Sequence, residues 1–576
     1  MTILGSQSTY SFVTSSDSRY PDSINRRSRG ELASIPEKFS LNADPRLWGH
    51  DLSPNLIEAD DDLHRPDPES EARKIEFGGH AVSERGLTNV GCLALLCLGV
   101  LTLFLGYPVA TFATRSPLST FGGFSTGGLN ASGQVPEIPG NWGLIDLDTP
   151  KDVYTKPGWK DSSKKMQLVF SDEFNKDGRS FYPGDDPYWE AVDLHYWQTN
   201  NLEWYDPAAV TTASGNLVIT LSRKKTHDLN YQGGLISTWN KFCFTGGLIE
   251  TSVVIPGANN VLGLWPAIWA MGNLGRAGYG ASLEGTWPYT YDACDVGTVK
   301  NQTVNGQPTA ATVDGDRGKG GVLSYLPGQK LSRCTCPGES HPGPKHSDGT
   351  FVGRSAPEID VFEAQINKAT LIPAVSQSAQ WAPYNKAYVW NNDTDNMFIR
   401  DPSNSIQNSF TGNVNQQATS VVTNTNPQCY EDSIDPCYSV YGFEYKPGFD
   451  DAYILWISDN EISWSLNVAG LDADPKVEIS ARPVSQEPMY LLMNLGMSRN
   501  FGPVDLAHLQ FPAHMYVDWI RVYQDSDNIN IGCDPNKFPT ANYINTYIEA
   551  YTNPNLTTWV DDYGQPFPKN SFLGEC

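Results

Sequence analysis

Positive charge is scarce in this chain. Its 40 Lys and Arg stand against 65 Asp and Glu, a formal net charge of −25 over 576 residues. Such a surface repels phosphate backbones and anionic headgroups, which excludes nucleic acid and an anionic membrane surface as partners. Metal-ligand spacing is also lacking. Cys334-Thr-Cys336 has no partner set of His or Cys, so neither zinc nor any other cofactor is expected. No helical period rivals the strand-like alternation of the chain, and no segment repeats. Residues 1–85 lack sustained apolar runs and are rich in Ser, Asp, Arg and Pro, the composition of a disordered tail.

Charge disappears altogether between Arg85 and Arg115. That window holds Val90-Gly-Cys-Leu-Ala-Leu-Leu-Cys-Leu-Gly-Val-Leu-Thr-Leu-Phe-Leu-Gly-Tyr107. It exceeds the roughly 20 apolar residues a helix needs to cross a bilayer and is apolar on every face. We expect one transmembrane signal anchor over 86–114, too far from the N-terminus to be an ordinary cleaved signal peptide. Arg73, Lys74 and Arg85 precede it and only Arg115 closely follows it, which favours a cytoplasmic N-terminus and a lumenal or extracellular remainder, a single-pass type II arrangement in secretory-pathway membranes.

Two further patterns agree with that orientation. The four Asn-X-Ser/Thr sequons, at Asn130, Asn301, Asn392 and Asn555, all follow the window, where glycosylation occurs. Of ten cysteines, Cys92 and Cys97 lie inside it and the other eight lie beyond it: Cys243, Cys294, Cys334, Cys336, Cys429, Cys437, Cys533 and Cys576. An even set in an oxidising compartment points to disulfides, with connectivity open among 105 choices. The pair we expect is Cys533 with Cys576, which brackets the C-terminal segment. Residues 115–165, rich in Gly, Pro, Ser and Thr, read as a stem; 166–525 read as a folded domain and 526–576 as a Cys-containing extension.

Within 166–525 short alternating runs recur between Gly, Pro and Asn turns. Among them are Leu217-Val-Ile-Thr-Leu221, Gly247-Leu-Ile-Glu-Thr-Ser-Val-Val254, Tyr453-Ile-Leu-Trp-Ile457 and Tyr516-Val-Asp-Trp-Ile-Arg-Val-Tyr523. That spacing predicts an all-β sandwich. The 16 Trp and 27 Tyr suit neutral sugars, whose apolar ring faces stack on aromatic rings.

One stretch concentrates chemistry. Ala356-Pro-Glu-Ile-Asp-Val-Phe-Glu-Ala-Gln365 sets Glu358, Asp360 and Glu363 among Ile359, Val361 and Phe362. On a strand, Glu358 and Asp360 share a face while Ile359 and Val361 point into a core. Glu363 has the wrong parity, and joins the other two only if Val361 or Phe362 is extruded as a β-bulge. Four effective strand steps then put the glutamate backbones roughly 13 Å apart. Inward-leaning side chains bring the carboxyls toward the roughly 5–5.5 Å separation of a retaining glycosidase pair.

Glu-Ile-Asp-Val-Phe-Glu resembles the bulged signature of the laminarinase-type β-jelly-roll glycoside hydrolases, family 16. The resemblance implies that Glu358 is the nucleophile, Glu363 the general acid/base, and Asp360 the residue that orients and tunes the nucleophile. Gln167-Leu-Val-Phe-Ser-Asp-Glu-Phe-Asn175 resembles the family's first strand. Gly263-Leu-Trp-Pro-Ala-Ile-Trp-Ala-Met271 resembles its donor-site element and places Trp265 and Trp269 at equal parity. Pro488-Met-Tyr-Leu-Leu-Met-Asn-Leu-Gly496 resembles its facing inner strand, where Asn494 can donate to sugar, and Trp381 is a candidate stacking platform. Two more blocks, Asn201-Leu-Glu-Trp-Tyr-Asp-Pro-Ala-Ala-Val210 and Trp269-Ala-Met-Gly-Asn-Leu-Gly-Arg-Ala-Gly-Tyr-Gly280 followed by Trp287-Pro-Tyr-Thr-Tyr-Asp-Ala-Cys294, resemble the fungal membrane proteins required for cell-wall β-1,6-glucan synthesis. The insertion between Trp287 and Glu358 departs from a simple glucanase.

Three functions follow from these readings. One is a retaining hydrolase or transglycosylase with β-glucan as donor and acceptor. The others are a glucan-binding scaffold, and a lectin-like folding or trafficking factor for other wall-synthesis proteins. The complete set of three acids favours the enzyme, because binding alone needs no acid/base pair.

Overall fold

The computed structural model of the chain describes residues 84–107, 109 and 143–576. The chain divides into two units, Met1–Phe112 and Ala113–Cys576. In the first, a helix over Glu84–Leu101 continues into a π-helical turn at Thr102–Gly106, and its Leu93, Leu95, Leu98, Leu103 and Phe104 are all exposed. Among the described residues no helix is long and apolar enough to cross a membrane. The expected span begins inside this helix and its final residues, 110–114, lie outside the described ones, as do the tail before Glu84 and the sequon at Asn130.

The second unit is the expected all-β sandwich. Its strands are rich in β-branched and aromatic side chains that alternate between two faces, as a pleated surface packed on one side requires. An eleven-stranded sheet runs in the order Ser405–Gln407, Gln416–Asn424, Pro373–Trp381, Glu358–Ile366, Trp265–Gly272, Met489–Gly496, Tyr231–Ser237, Glu203–Tyr205 and Leu194–His195, with two short strands beside this path. A ten-stranded sheet covers its back, with Ala513–Asp525, Gly247–Val254, Ser439–Lys446, Tyr453–Ser458 and Glu461–Asn467 at its centre. The core between them takes Ile359, Val361 and Phe362 from the first sheet and Ile249, Phe443, Trp456 and Val522 from the second. Trp456 and Trp464 stack at 4.1 Å with their planes 3° apart.

The folded unit starts earlier than the expected boundary at 166. Asp146 and Thr149 are buried, Thr149 donates to Glu173 at 2.8 Å, and Thr155–Pro157 pairs with Lys165–Asp172. Part of the stem is therefore structure, which its loop-like composition conceals.

The expected Cys533–Cys576 pair is corrected. Cys533 is bonded to Cys243 and Cys576 to Cys336, with Cys294–Cys334 and Cys429–Cys437 completing the set. The extension does not close on itself. It folds back so that each of its cysteines reaches the body, one at Cys243 in the connection between the Tyr231–Ser237 and Gly247–Val254 strands and one at Cys336 in the insertion. Tyr543, Ile544, Tyr551 and Trp559 of the extension pack with Trp239, Trp269 and Leu331 in a second core. Arg354 in the insertion, fully buried, makes a bidentate pair with Glu487 at 2.8 Å and donates to the Pro539 carbonyl at 2.8 Å. Of the described sequons, Asn392 and Asn555 are exposed and Asn301 is half-buried.

Candidate active site

The Glu358–Ile366 strand is flanked on both sides, and its two ladders locate the irregularity between Asp360 and Glu363. Against Pro373–Trp381, Asp360 faces Ser378 and Glu363 faces Ser376, so Val361 and Phe362 together stand opposite Gln377 alone. Against Trp265–Gly272, Trp269 faces Asp360 and Ile268 faces Phe362, which leaves Val361 unpaired. This is a β-bulge. Neither residue is pushed out of the sheet: both Val361 and Phe362 are fully buried in the core. Two consecutive side chains on the inner face reset the alternation, and Glu363 emerges on the same face as Glu358 and Asp360.

A bulge frees backbone carbonyls that the ladder would otherwise use, and buried carbonyls require donors. Here one donor comes from the adjacent strand of the same sheet and one from across the sandwich. Gln377, itself fully buried, donates from Nε2 to the carbonyls of Val361 at 2.9 Å and Ile457 at 2.8 Å, and its Oε1 accepts from Ser463. Trp456 Nε1 donates to the Asp360 carbonyl at 2.8 Å.

Each carboxyl has its own partners. Trp287 Nε1 donates to Glu358 Oε2 at 2.6 Å. Ser378 Oγ and Gln380 Nε2 donate to Asp360 Oδ2 at 2.7 and 3.1 Å. Trp265 Nε1 donates to Glu363 Oε1 at 3.0 Å, and Ser376 Oγ lies 3.4 Å from its Oε2. Burial dominates the proton affinities and raises all three. Asp360 is pushed up to about 6, its two donors opposing the rise. Glu363 is pushed up to about 8 by burial and then by the charge of Asp360. Glu358 is raised well above the usual carboxylate range by burial and by Asp360, against the Trp287 indole. Three acids so placed do not all ionise near neutrality.

The neighbouring strands complete one wall. Ala267, Trp269 and Met271 lie on the same sheet face as the three acids, as do Tyr490 and Leu492, and all five are buried in the second core, while Ile268, Ala270, Leu491 and Met493 fill the core between the sheets. Trp269 Nε1 donates to Asn494 Oδ1 at 2.8 Å, and Asn494 Nδ2 lies 3.3 Å from the Tyr205 hydroxyl. Behind them sits a fourth acid. Glu203, fully buried and pushed up to about 7 by that burial, accepts from Asn201 Nδ2 at 2.7 Å and from the Met497 amide at 2.9 Å. Gly496 makes room for it, since a Cβ there would strike the Glu203 carboxylate.

Trp381 is corrected as a stacking platform. Ser378 opposite Asp360 sets the parity of its strand, so Trp381 points with Val375 and Ala379 into the core, where its indole donates to Thr419 at 2.8 Å. Five residues outside the expected set contact the acids or the bulge: Trp287, Ser376, Ser378, Gln380 and Gln377. A signal for most of them was available: Ser376, Ser378 and Gln380 alternate along Pro373–Trp381, a polar stripe facing the three acids. Cys334 and Cys336 are in disulfides, and among the described residues no group of His, Cys, Asp and Glu is arranged to hold a metal ion.

A family model described as "Beta-glucan synthesis-associated protein SKN1/KRE6/Sbg1" matches residues 50–576. The chain belongs to this family. The beta-glucan synthesis-associated protein KRE6 of Saccharomyces cerevisiae is 39% identical over 567 residues, covering 93% of this chain and 73% of that protein. SKN1 of Candida albicans is 39% identical over 530 residues, covering 91% and 67%. Among solved structures, the catalytic domain of an endo-1,3-beta-glucanase (laminarinase) from Thermotoga petrophila aligns over 63% of this chain and 99% of that one, at 19% identity and a TM-score of 0.35. Within the SKN1/KRE6/Sbg1 family frame, the bulged strand and its three acids lie well inside the matched region.

Proposed function

We propose that this member of the beta-glucan synthesis-associated family is a retaining glycosidase or transglycosylase acting on β-glucan. The observation that carries this reading is the bulge, which turns Glu363 onto the face of Glu358 and Asp360. Glu358 attacks the anomeric carbon as the bond to the leaving chain breaks, and Glu363 gives its proton to the leaving oxygen. Glu363 is suited to that step because its raised proton affinity keeps it protonated near neutral pH. Glu358 and Asp360 share a proton, which sits on Asp360 when Glu358 attacks; Ser378 and Gln380 hold Asp360 in place for this. In the second half, a hydroxyl of another glucan chain, or water, attacks the ester. Its proton returns to Glu363 and the Glu358 carboxylate is released. Among the described residues the buried Oε1 of Gln380 has no hydrogen-bond partner, and it offers an acceptor for a sugar hydroxyl.

A mechanism-based 2-fluoroglucoside donor tests the reaction and the nucleophile together. The full chain is expected to form a glycosyl adduct on the peptide carrying Glu358, absent from Glu358→Gln. No adduct, or one on another residue, overturns the reading.

One observation favours the glucan-binding scaffold instead: Glu358 is held toward its protonated form, the resting state of a binding group rather than of a nucleophile. Glucan binding without adduct, unchanged by Glu358→Gln, would establish it. We also propose the type II arrangement, with 86–114 as anchor and the sandwich on the lumenal side. Support comes from the flanking basic residues and the exposed apolar helix of Glu84–Leu101. Protease added to intact microsomes is expected to remove only residues before Arg85.

A further inference from the structure

Between its two disulfide ties, at Cys533 and Cys576, the C-terminal extension runs along 273–287, the segment that leads out of the Trp265–Gly272 strand and ends at Trp287. The contacts recur along that segment. Asn273 Nδ2 donates to the Thr540 hydroxyl at 3.1 Å, and the Tyr551 hydroxyl donates to the Leu274 carbonyl at 2.9 Å. The Ala281 amide donates to the Leu556 carbonyl at 2.9 Å.

The last four residues of the segment are held hardest. Glu284 turns its carboxylate to the extension and accepts from the amides of Trp559 at 2.5 Å and Val560 at 3.3 Å. Bonds to a charged acceptor are about twice as strong as neutral ones. Gly285, at φ +75°, is pinched between the insertion and the extension, since a Cβ there would stand 2.7 Å from both Lys330 and the Phe567 ring. Its carbonyl accepts from the Lys330 amide at 2.7 Å, and the Thr286 carbonyl accepts from the Ala356 amide at 2.9 Å. Trp287 follows, and its indole donates to Glu358 at 2.6 Å. Lys330 Nζ, buried 3.6 Å from the centre of the Trp559 ring, faces the Glu284 charge.

A side chain that must meet a reacting carboxylate is only as well placed as the backbone that carries it. Here that backbone leans on the extension. We propose that Glu284, by fastening this turn to Trp559, is a positioning residue for Trp287 and through it for Glu358, which makes the extension a working part of the site. Its effect on reaction rests on the proposed glycosidase or transglycosylase reading; its effect on the Trp287 indole does not.

The test uses the full chain in detergent with its tryptophan indoles isotopically labelled for magnetic resonance. Trp287→Phe identifies the Trp287 indole signal, and Glu358→Gln shows where that signal goes when the charged acceptor is lost. Glu284→Ala should move it in the same direction, while the Trp189 indole, bonded to Asp172 at 2.9 Å, stays in place. Glu284→Gln keeps an acceptor oxygen but, like Glu284→Ala, removes the charge facing Lys330, so it should restore the signal. Phe567→Ala, which leaves Glu284 intact and empties the space beside Gly285, should also move it. With the 2-fluoroglucoside donor, adduct formation in Glu284→Ala should slow by about tenfold, the equivalent of roughly one hydrogen bond. Its acid limb should shift to higher pH, as in Trp287→Phe, which a general loss of stability would not produce. A Trp287 signal in place in both alanine variants overturns the proposal, as does an equal displacement in Glu284→Gln. A displaced signal with an unchanged adduct rate and acid limb removes the positioning role. A displaced signal in a chain whose unsubstituted form gives no adduct keeps the link from extension to Trp287 and removes the reaction.

Discussion

The side-chain amide of Gln377 donates to the backbone carbonyl of Val361 at 2.9 Å, across the point where the Glu358–Ile366 strand bulges. Gln377 is a fully buried polar residue on the core side of its own strand. Its second bond, to Ile457 of the opposite sheet, makes it a strut between the two layers.

Replacing it with leucine of similar volume is expected to orphan both carbonyls, at about 1–3 kcal/mol for each group left unsatisfied. Chemical denaturation should show a lowered midpoint at unchanged slope. Because the carbonyl it loses belongs to the bulge, adduct formation on Glu358 should slow by more than the unfolded fraction explains. A variant destabilised but trapped at the normal rate would make Gln377 a core residue and nothing more.

Trp287 should act on the proton affinity of Glu358. Its indole stabilises the ionised form, so Trp287→Phe removes an opposing influence and raises Glu358 further. In the proposed reaction Glu358 must be ionised to attack, and the acid limb of the rate of adduct formation is therefore expected to move to higher pH. A limb that stays in place, or moves down, contradicts this coupling.

Glu363 binds its proton more tightly folded than unfolded, at about 8 against an ordinary 4.5. Between those values the native state holds more protons than the unfolded chain, so its contribution to stability falls as pH rises through the window. Glu363→Gln carries no charge to bury. Its melting temperature should exceed that of the wild type at pH 9 by more than at pH 5, and an equal difference at both pH values would contradict the assignment.

The extension should depend on two ties of different kinds. Peptide mapping without reduction is expected to recover Cys243 with Cys533 and Cys336 with Cys576, and to find no Cys533–Cys576 peptide. Arg354→Met should destabilise by about 3–5 kcal/mol, because it strands Glu487 as a buried unpaired charge. Glu487→Gln in the same chain is expected to restore part of that loss.

Much of this site was readable as sequence because side-chain direction along a strand is a local property with period two. That period put Glu358 and Asp360 on one face, required a bulge before Glu363 could join them, and aligned Trp265 with Trp269. It also carried the information that Trp381 faces the core, once Ser378 is known to lie opposite Asp360. Partner choice is different. Trp287 meets Glu358 across 71 residues, Gln377 meets Ile457 across 80, and Cys243 meets Cys533 across 290. No local spacing encodes such contacts, since they depend on how the two sheets stack and where the extension returns. Strand parity alone dictates which acids can act together; what holds the bulge, which groups set the acids' protons, and which cysteines join are fixed only by the fold, because each of those requires two distant segments to be brought within bonding distance.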